Sequence, residues 1–328
     1  MIRFENVCKT YANGGNAVID INLHIKQGEF ICLIGPSGCG KTSTLKMINR
    51  LQDPTSGQIF INNKNIMEQD PVMLRRGIGY VVQQIGLFPH MTIAENIGVV
   101  PKLLGWPPER WKERAEELLT LVGLDPKNFS KRYPMELSGG QQQRVGVLRA
   151  LAAQQELVLM DEPFGALDPI TRESLQDELK RLQKQLNKTI VFVTHDMDEA
   201  VKLADRIVLM KEGRILQLGT PYEFVHHPAN EFVKEFMRSF KNKILDATLV
   251  DACMEPLGEE IHLPLPVVSL GTSIEKALQI MFFKRVDKLY VINEEQVKVG
   301  YLTRDKLSEY FNFGEQSNNS SGGEMNVS

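Results

Sequence analysis

A glycine-rich stretch, GPSGCGKT at residues 35–42, has the residue types for phosphate chemistry. It fits the pattern G-x-x-x-x-G-K-[ST] and lies between an apolar run and a helix-like segment, which is the context that this pattern requires. Glycines allow backbone N–H groups to curl around a phosphate, and the Lys41 ammonium can pair with β- and γ-phosphates. The Thr42 hydroxyl can ligate Mg²⁺. The stretch therefore predicts a nucleoside triphosphate site that works with Mg²⁺.

Polar side chains follow several apolar runs directly, at the points where strands are expected to end. Asp161 and Glu162 end ELVLMDE, Gln83 follows GIGYVV, and His195 follows IVFVT. We expect Asp161 to hold a Mg²⁺-linked water and Glu162 to orient or deprotonate the attacking water. Gln83 and His195 could sense the γ-phosphate. The alternative is a solvated acid pair and a structural histidine, and the phosphate loop argues against it.

A second stretch suited to phosphate is ELSGGQQQRV at 136–145. Ser138 and a pair of glycines stand at the head of a helix-like run, where glycines cost conformational entropy. Their bare backbone amides can bind an anion at a helix N-terminus. The chain thus has two phosphate-binding elements, about a hundred residues apart.

The strands and helices that must position these groups predict an α/β fold. Residues 1 to about 236 alternate apolar strand-like runs with amphipathic helices, which predicts a mostly parallel sheet with one ligand site at its carboxyl edge. DRIVLMKEGRILQLG (205–219) predicts a hairpin, and residues 95–150 predict a helical insertion. One face of a helix in that insertion is apolar and is expected to pack in the core: Trp111, Ala115, Leu118, Leu119 and Val122.

The composition is that of an ordinary globular chain, with 328 residues and a net charge of −3. The lack of a global basic field argues against a nucleic acid partner. No run of about 18 apolar residues and no apolar leader occur, so neither a membrane span nor a signal segment is expected. The four cysteines have no paired metal-ligand spacing and are expected to be reduced thiols.

The character of the sequence changes near residue 240. Residues 266–311 predict strand, helix, strand, strand and helix, which is a small separate α/β unit, and the polar end of the chain predicts a disordered tail. We therefore expect a nucleotide-binding domain at 1–238, a second domain at 239–312 and a tail at 313–328.

These motifs, in this order, resemble those of the ATP-binding cassette (ABC) transporter ATPases over residues 1 to about 235. LSGGQ at 137–141 is the signature that separates this family from other P-loop ATPases, and together with GALD it argues against a P-loop kinase or GTPase. GALD at 165–168 matches the D-loop, GPSGCGKT the Walker A loop and LVLMDE the Walker B motif. The resemblance implies an α/β P-loop NTPase cassette with a helical subdomain, which hydrolyses ATP with Mg²⁺.

The resemblance also assigns residues to this reaction. It assigns catalysis to Glu162, His195 and Gln83, and the metal to Thr42, Asp161 and Gln83. Tyr11 would stack on the adenine. The residues that it assigns to binding the rest of ATP and its metal are Gly35, Pro36, Ser37, Gly38, Cys39, Gly40, Lys41, Thr42, Thr44, Gln83, Ser138, Gly139, Gly140, Gln141, Asp161 and Asp168.

The family mechanism implies that two cassettes pair head to tail as a homodimer. Each ATP would lie between the Walker A loop of one chain and the signature of the other. The Q-loop at Gln83 and the helical insertion would pass closure of the dimer to separate membrane permease subunits, with an extracellular substrate-binding protein or domain acting indirectly. The expected location is the cytoplasmic face of the cell membrane.

Soluble cassette ATPases of DNA repair or translation are a rival class, but their long coiled coils or doubled cassettes do not occur in this sequence.

The segment QQIGLFPHMTIAENIGVVPKLLGW (83–106) and the C-terminal unit look most like the importers of osmoprotectants such as glycine betaine, carnitine and choline. The C-terminal unit resembles a single cystathionine-β-synthase (CBS) module. Such modules work in pairs, so the unit would help the chain to dimerise. An adenine nucleotide near YLTRD (301–305), or ionic strength, could act on it. An importer of methionine or another amino acid is the alternative function.

Overall fold

The structure, a computed structural model, describes residues 1–12, 14–82, 86–153, 155–165, 167–238, 250–256, 265–293 and 295–306. The chain divides into two compact units, Met1–Thr220 and Pro221–Ser328. The sequence-based boundary at 238 assigned residues 221–238 to the cassette, whereas here they belong to the second unit. Gln83, residues 239–249 and the predicted tail at 313–328 lie outside the described residues.

The strands of the first unit are β1 (Ile2–Thr10), β2 (Asn16–Ile25), β3 (Phe30–Ile34), β4 (Ser56–Ile61), β5 (Lys64–Asn65), β6 (Ile78–Val81), β7 (Leu157–Asp161), β8 (Thr189–Val193), β9 (Arg206–Lys211) and β10 (Arg214–Gly219). Its helices are α1 (Lys41–Ile48), α2 (Pro71–Arg76), α3 (Ile93–Ile97), α4 (Val99–Leu103), α5 (Pro108–Leu121), α6 (Pro126–Phe129), α7 (Gly139–Leu151), α8 (Pro169–Leu186) and α9 (Met197–Leu203). Short 3₁₀ turns occur at Ile66–Glu68 and Pro134–Glu136.

A six-stranded sheet in the order β10-β9-β3-β8-β7-β6 forms the centre of this unit. Its neighbours pair in parallel, except that β10 runs antiparallel to β9. Every residue of β3, β7 and β8 is buried, as is usual for parallel strands covered on both faces. The predicted, mostly parallel sheet is confirmed, and its carboxyl edge collects the ends of β3, β7 and β8.

A second, antiparallel sheet in the order β2-β1-β4-β5 packs against the central one. One hydrophobic core joins them, because Ile2 of β1 and Ile59 of β4 lie in the same buried cluster as Leu33, Leu159 and Val191 of the central sheet. This core holds the start of the chain against the strands that carry the phosphate loop.

The predicted helical insertion and hairpin are both present. The insertion contains α3 to α7, and the predicted apolar face of α5 is buried, with Leu118 and Leu119 fully shielded from solvent. The hairpin joins β9 to β10 through Glu212 and Gly213, whose φ values are 50° and 80°. Two successive positive φ values suit the twist of a tight hairpin. Within the described ranges, no helix combines the length and the apolar character needed to cross a membrane.

The second unit is a small α/β body with its own core. It contains α10 (Pro221–His226), α11 (Glu231–Arg238), β11 (Glu255–Pro256), β12 (Val267–Ser269), α12 (Ile274–Lys284), β13 (Lys288–Ile292) and β14 (Lys298–Thr303), with a 3₁₀ turn at Val250–Ala252. The sheet order is β11-β14-β13-β12, and β12 pairs in parallel with β13. Ile274 and Met281 of α12 pack against Leu289 and Val291 of β13. The predicted strand, helix, strand and strand are therefore present in this order.

Candidate nucleotide-binding site

The phosphate loop connects β3 to α1, and its glycines are required by the backbone geometry. Gly35, Gly38 and Gly40 have φ values of 140°, 78° and 106°, which lie in the region that favours glycine. A Cβ atom at Gly35 would lie 2.1 Å from the carbonyl oxygen of Met210, and one at Gly40 would lie 2.2 Å from that of Ala17. The neighbouring strands therefore pack so closely against the loop that they leave no room for a side chain at Gly35 or Gly40.

Lys41 begins α1 and is buried within the curve of this loop. Its Nζ atom donates to the carbonyl oxygens of Gly35 at 2.8 Å and Pro36 at 3.0 Å. An ammonium in this position places a positive charge where the loop amides can hold a phosphate. Thr44, one turn later, is buried, and its hydroxyl donates to the carbonyl of Gly40 at 2.9 Å. Its side chain thus supports the loop from within α1.

Asp161, the last residue of β7, meets the phosphate loop through Thr42. The Thr42 hydroxyl donates to Oδ1 of Asp161 at 3.0 Å. Burial raises the pKa of the Asp161 carboxyl above its ordinary value, and the Thr42 hydrogen bond opposes that shift. A hydroxyl and a carboxylate oxygen are the ligands that Mg²⁺ takes from proteins, alongside phosphate oxygens and water. The residues present therefore fit a Mg²⁺ ion beside the loop.

Glu162 and His195 meet at the same edge of the sheet. They follow β7 and β8, which pair in parallel with Asp161 opposite Val193. Oε2 of Glu162 lies 3.1 Å from Nδ1 of His195. Glu162 has a φ of 45°, a conformation that costs a non-glycine residue about 1–3 kcal/mol. Its N–H donates to the Val193 carbonyl at 2.9 Å, which helps to hold it there.

The segment that carries His195 is held by a polar network that sequence reasoning missed. The Thr194 hydroxyl donates to Oε2 of the buried Glu199 at 2.6 Å, and it accepts from the N–H of Asp196 at 2.9 Å. Asp196 in turn caps α9. Burial raises the pKa of the Glu199 carboxyl. The sequence signal available was an Asp before a helix-like run, which indicates an N-cap, but the contact with Glu199 depends on the fold.

The signature stretch lies at the start of α7, as the sequence predicts. Ser138 is the N-cap, and it forms a capping box with Gln141: the Gln141 N–H donates to Oγ of Ser138 at 3.3 Å, and the Ser138 N–H donates to Oε1 of Gln141 at 3.0 Å. The spacing Ser-x-x-Gln is the sequence sign of such a box, although the box was not among the features predicted from the sequence. The cap uses Ser138 Oγ as an acceptor, so the hydroxyl hydrogen can still donate to a phosphate.

The two glycines of the signature have different surroundings. A Cβ atom at Gly140 would lie 2.4 Å from Cγ2 of Thr171 in α8, whereas one at Gly139 would have nothing within 4 Å. Asp168 caps α8 by accepting from the Thr171 N–H at 3.0 Å, and its hydrogen bonds with Thr171 lower the pKa of its carboxyl. The signature and the D-loop residue Asp168 are therefore neighbours through the first turn of α8.

The remaining predicted residue at this edge is Tyr11, which follows β1. Its hydroxyl lies 2.9 Å from Oγ of Ser43 in α1 and donates to Oε1 of Gln52 at 3.0 Å. The ring is partly exposed. These contacts place an aromatic face beside the helix that follows the phosphate loop. Gln83, the predicted Q-loop residue, lies outside the described residues.

Comparison with known proteins shows the family to which the chain belongs. A family profile described as "ABC transporter" matches residues 18–165. The choline transport ATP-binding protein OpuBA of Bacillus subtilis is 59% identical over 302 residues, which cover 92% of this chain and 78% of that protein. The chain belongs to the ABC transporter family. The carnitine transport ATP-binding protein OpuCA of Listeria monocytogenes is 57% identical over 307 residues, which cover 94% of this chain and 76% of that protein.

Solved cassette structures agree with this membership. A structure described as the dimeric post-hydrolysis state of the ATP-binding cassette MJ0796, bound to ADP and Pi, is 38% identical. It has a TM-score of 0.60 and covers 67% of this chain and 98% of that chain. The structure of cbiO1 of Clostridium perfringens, part of the ABC transporter complex cbiONQ, is 28% identical, with a TM-score of 0.65 over 74% of this chain and 94% of that chain. The predicted ABC cassette fold, with ATP as ligand and ATP hydrolysis as activity, is confirmed.

Proposed function

We propose that this cassette ATPase powers an importer of quaternary-amine osmoprotectants, with glycine betaine, carnitine and choline as the substrate class. The observation that carries the proposal is the high identity, over more than nine-tenths of the chain, to ATP-binding proteins named for choline and carnitine transport. A further B. subtilis relative, 58% identical, is named for all three compounds. The ATPase works with separate membrane permease subunits, at the cytoplasmic face of the membrane.

The chemistry of hydrolysis follows from the residues at the carboxyl edge of the central sheet. The amides of the phosphate loop and Lys41 hold the β- and γ-phosphates. Thr42 and Asp161 would hold a Mg²⁺ ion, which would supply positive charge that neutralises the phosphates. Glu162 accepts a proton from the attacking water as its oxygen bonds to the γ-phosphorus, and the bond to the ADP oxygen breaks. His195 orients the Glu162 carboxylate through Nδ1. The ring would also donate to a γ-phosphate oxygen when both of its nitrogens carry a hydrogen. Gln83, which lies outside the described residues, would be a further ligand of the metal and the sensor of the γ-phosphate.

The complete site needs a second copy of the chain. Ser138, Gly139 and the N-terminal amides of α7 bind the γ-phosphate of ATP held by the partner's phosphate loop. Two features support this arrangement. The Ser138 oxygen accepts within its cap, so its hydroxyl hydrogen can donate to another group, and a Cβ atom at Gly139 would have nothing within 4 Å. ATP binds the closed dimer more tightly than the open dimer, so ATP favours closure. Hydrolysis then lets the two cassettes part.

The second unit acts as a CBS-like module that pairs with its counterpart and adjusts the ATPase. The order of β12, α12, β13 and β14 supports this assignment. Near the predicted nucleotide contact, Tyr301 donates to the Glu255 carboxylate at 2.9 Å. ATPase activity of the full chain, titrated with salt and with AMP, tests the regulatory role. A flat response to both would leave dimerisation as the role of this unit.

Uptake of labelled substrates tests the transport assignment. A strain that lacks the gene is complemented with the wild-type chain, with Glu162→Gln, or with Glu173→Gln as a matched control at an exposed acid of α8. We expect the wild type and the control to restore uptake of at least one of glycine betaine, carnitine and choline, and Glu162→Gln to fail. The assignment would be contradicted if the deletion strain took up all three compounds as well as the complemented strain did and instead lost uptake of methionine or another amino acid.

A further inference from the structure

Two segments meet behind the Glu162–His195 pair, and one arginine contacts both of them. Arg172 lies in the first turn of α8. Its Nη2 atom donates to the carbonyl oxygen of Leu167 at 3.1 Å, and its Nη1 atom donates to Oδ2 of Asp196 at 3.3 Å. Leu167 lies in the segment between Glu162 and α8, and Asp196 directly follows His195. A single guanidinium therefore crosslinks the two segments that carry the pair.

The residues on either side of His195 are held by groups that are themselves linked. Asp196, after it, is held by Arg172, whereas Thr194, before it, is held by the buried Glu199. The Nε atom of Arg172 lies 4.0 Å from the other carboxylate oxygen of Glu199. Arg172 thus stands between two carboxylates and balances their charge. The position of the His195 segment depends on both anchors.

The contact set suits arginine in particular. The guanidinium is planar and presents donors in a fixed fork, so it can serve a carbonyl and a carboxylate in different directions at once. A lysine ammonium is a single point charge on a flexible stem and can hold one of these partners well. Arg172 is also partly buried, with 29% of its side chain exposed, so its charge is less screened than that of a fully exposed residue.

We propose that Arg172 is a positioning residue for ATP hydrolysis, which fixes the place of His195 relative to Glu162. This inference rests on the proposed roles of that pair. Arg172 acts through this pair, because its hydrogen bonds go to Asp196 and Leu167 and not to the phosphate loop. Displacement of a catalytic group by about 1 Å can lower a rate by about a hundredfold. Loss of the crosslink should therefore slow hydrolysis and leave ATP binding intact.

Kinetics of three purified full-length variants test the proposal. We expect Arg172→Met to lower kcat by about tenfold or more, with the KM for ATP and the binding of a fluorescent ATP analogue within about twofold of the wild type. Arg172→Lys should recover part of kcat, because it can keep the contact with Asp196. Arg181→Met is the matched control. Arg181 lies on the same helix and donates to the Leu121 carbonyl at 2.7 Å, so its loss should leave kcat near the wild-type value.

A double-mutant cycle separates positioning from a general effect on folding. Because Arg172 acts through His195, Arg172→Met should lower kcat little further once His195→Ala is present. Additive losses would overturn the proposal, and so would a native kcat for Arg172→Met. If Arg172→Met fails to fold, Arg172→Lys and its cycle with His195→Ala decide the question. A native rate for Glu162→Gln would instead refute the proposed catalytic pair, which keeps the two failures distinct.

Discussion

Nδ1 of His195 lies 3.1 Å from Oε2 of Glu162, although the two residues are 33 positions apart in the chain. The contact exists because β7 and β8 are parallel neighbours that end at the same level of the sheet. Glu162 takes an unfavourable left-handed backbone conformation to reach this position. Such strain concentrates at functional sites, and here it turns a carboxylate toward the histidine.

The first prediction concerns the carboxylate of Glu162. Glu162→Gln keeps the size of the side chain and can keep a hydrogen bond to His195, but the amide cannot accept a proton from water. Loss of a general base typically costs about 10²- to 10⁴-fold in rate. We expect phosphate release to fall by this factor, while ATP binding persists and ATP traps the dimer on gel filtration. Glu173→Gln should behave as the wild type. Hydrolysis at the native rate would show that Glu162 is not the base.

The second prediction separates the two glycines of the signature. In Gly140→Ala the new methyl group would collide with Thr171, and such overpacking costs about 1–3 kcal/mol. In Gly139→Ala the methyl group meets open space, so stability should stay the same or rise by up to about 1 kcal/mol. ATPase activity should nevertheless fall in Gly139→Ala, because in the proposed dimer the methyl group would face the partner's nucleotide. Urea unfolding and ATPase assays of both variants measure this. Full activity of Gly139→Ala would contradict the proposed contact.

The third prediction follows from the raised pKa of Asp161. The folded protein holds the Asp161 proton more tightly than the unfolded chain does. The contribution of this group to stability is therefore greatest below its ordinary pKa and falls as pH rises through the interval up to the raised pKa. At about pH 7 the ionised carboxylate opposes folding of the nucleotide-free protein.

Asp161→Asn tests this relationship, since it removes the charge and can still accept from Thr42. We expect a higher Tm than the wild type at about pH 7 and a smaller difference below about pH 4, together with the loss of Mg²⁺-dependent ATPase activity. Thermal unfolding at both pH values and an ATPase assay provide the measurements. A lower Tm at neutral pH would mean that the ionised Asp161 stabilises the empty site.

The fourth prediction tests whether the signature serves the partner's ATP. Ser138→Arg blocks the signature, and Lys41→Ala removes a charge that also bonds the Gly35 and Pro36 carbonyls. Each variant alone should have little ATPase activity. A mixed dimer has one intact site, built from the phosphate loop of the first variant and the signature of the second. We expect the mixture to regain part of the activity. Activity no greater than the mean of the two variants would contradict the composite site.

Much of the cassette was predictable because its chemistry is encoded in short local patterns. The glycine spacing in 35–42 predicts a loop whose backbone can curl around a phosphate. In the structure Gly35, Gly38 and Gly40 have positive φ values, which favour glycine. The apolar runs before Asp161 and His195 predict buried strands, and every residue of β7 and β8 is buried in the structure. The division into units depends on packing, since local periodicity cannot assign the helices of residues 221–238 to one unit or the other.

The sequence by itself determined the phosphate loop, the strand-end acids, the signature and the family, because each depends on residue type at a fixed local spacing. Only the tertiary structure decided which groups meet. The pairing of Glu162 with His195 depends on the register of two strands, and the crosslink by Arg172 depends on how α8 packs beside them. The difference between Gly139 and Gly140 likewise depends on where Thr171 lies. Contacts between distant segments follow from packing, and no local pattern contains that information.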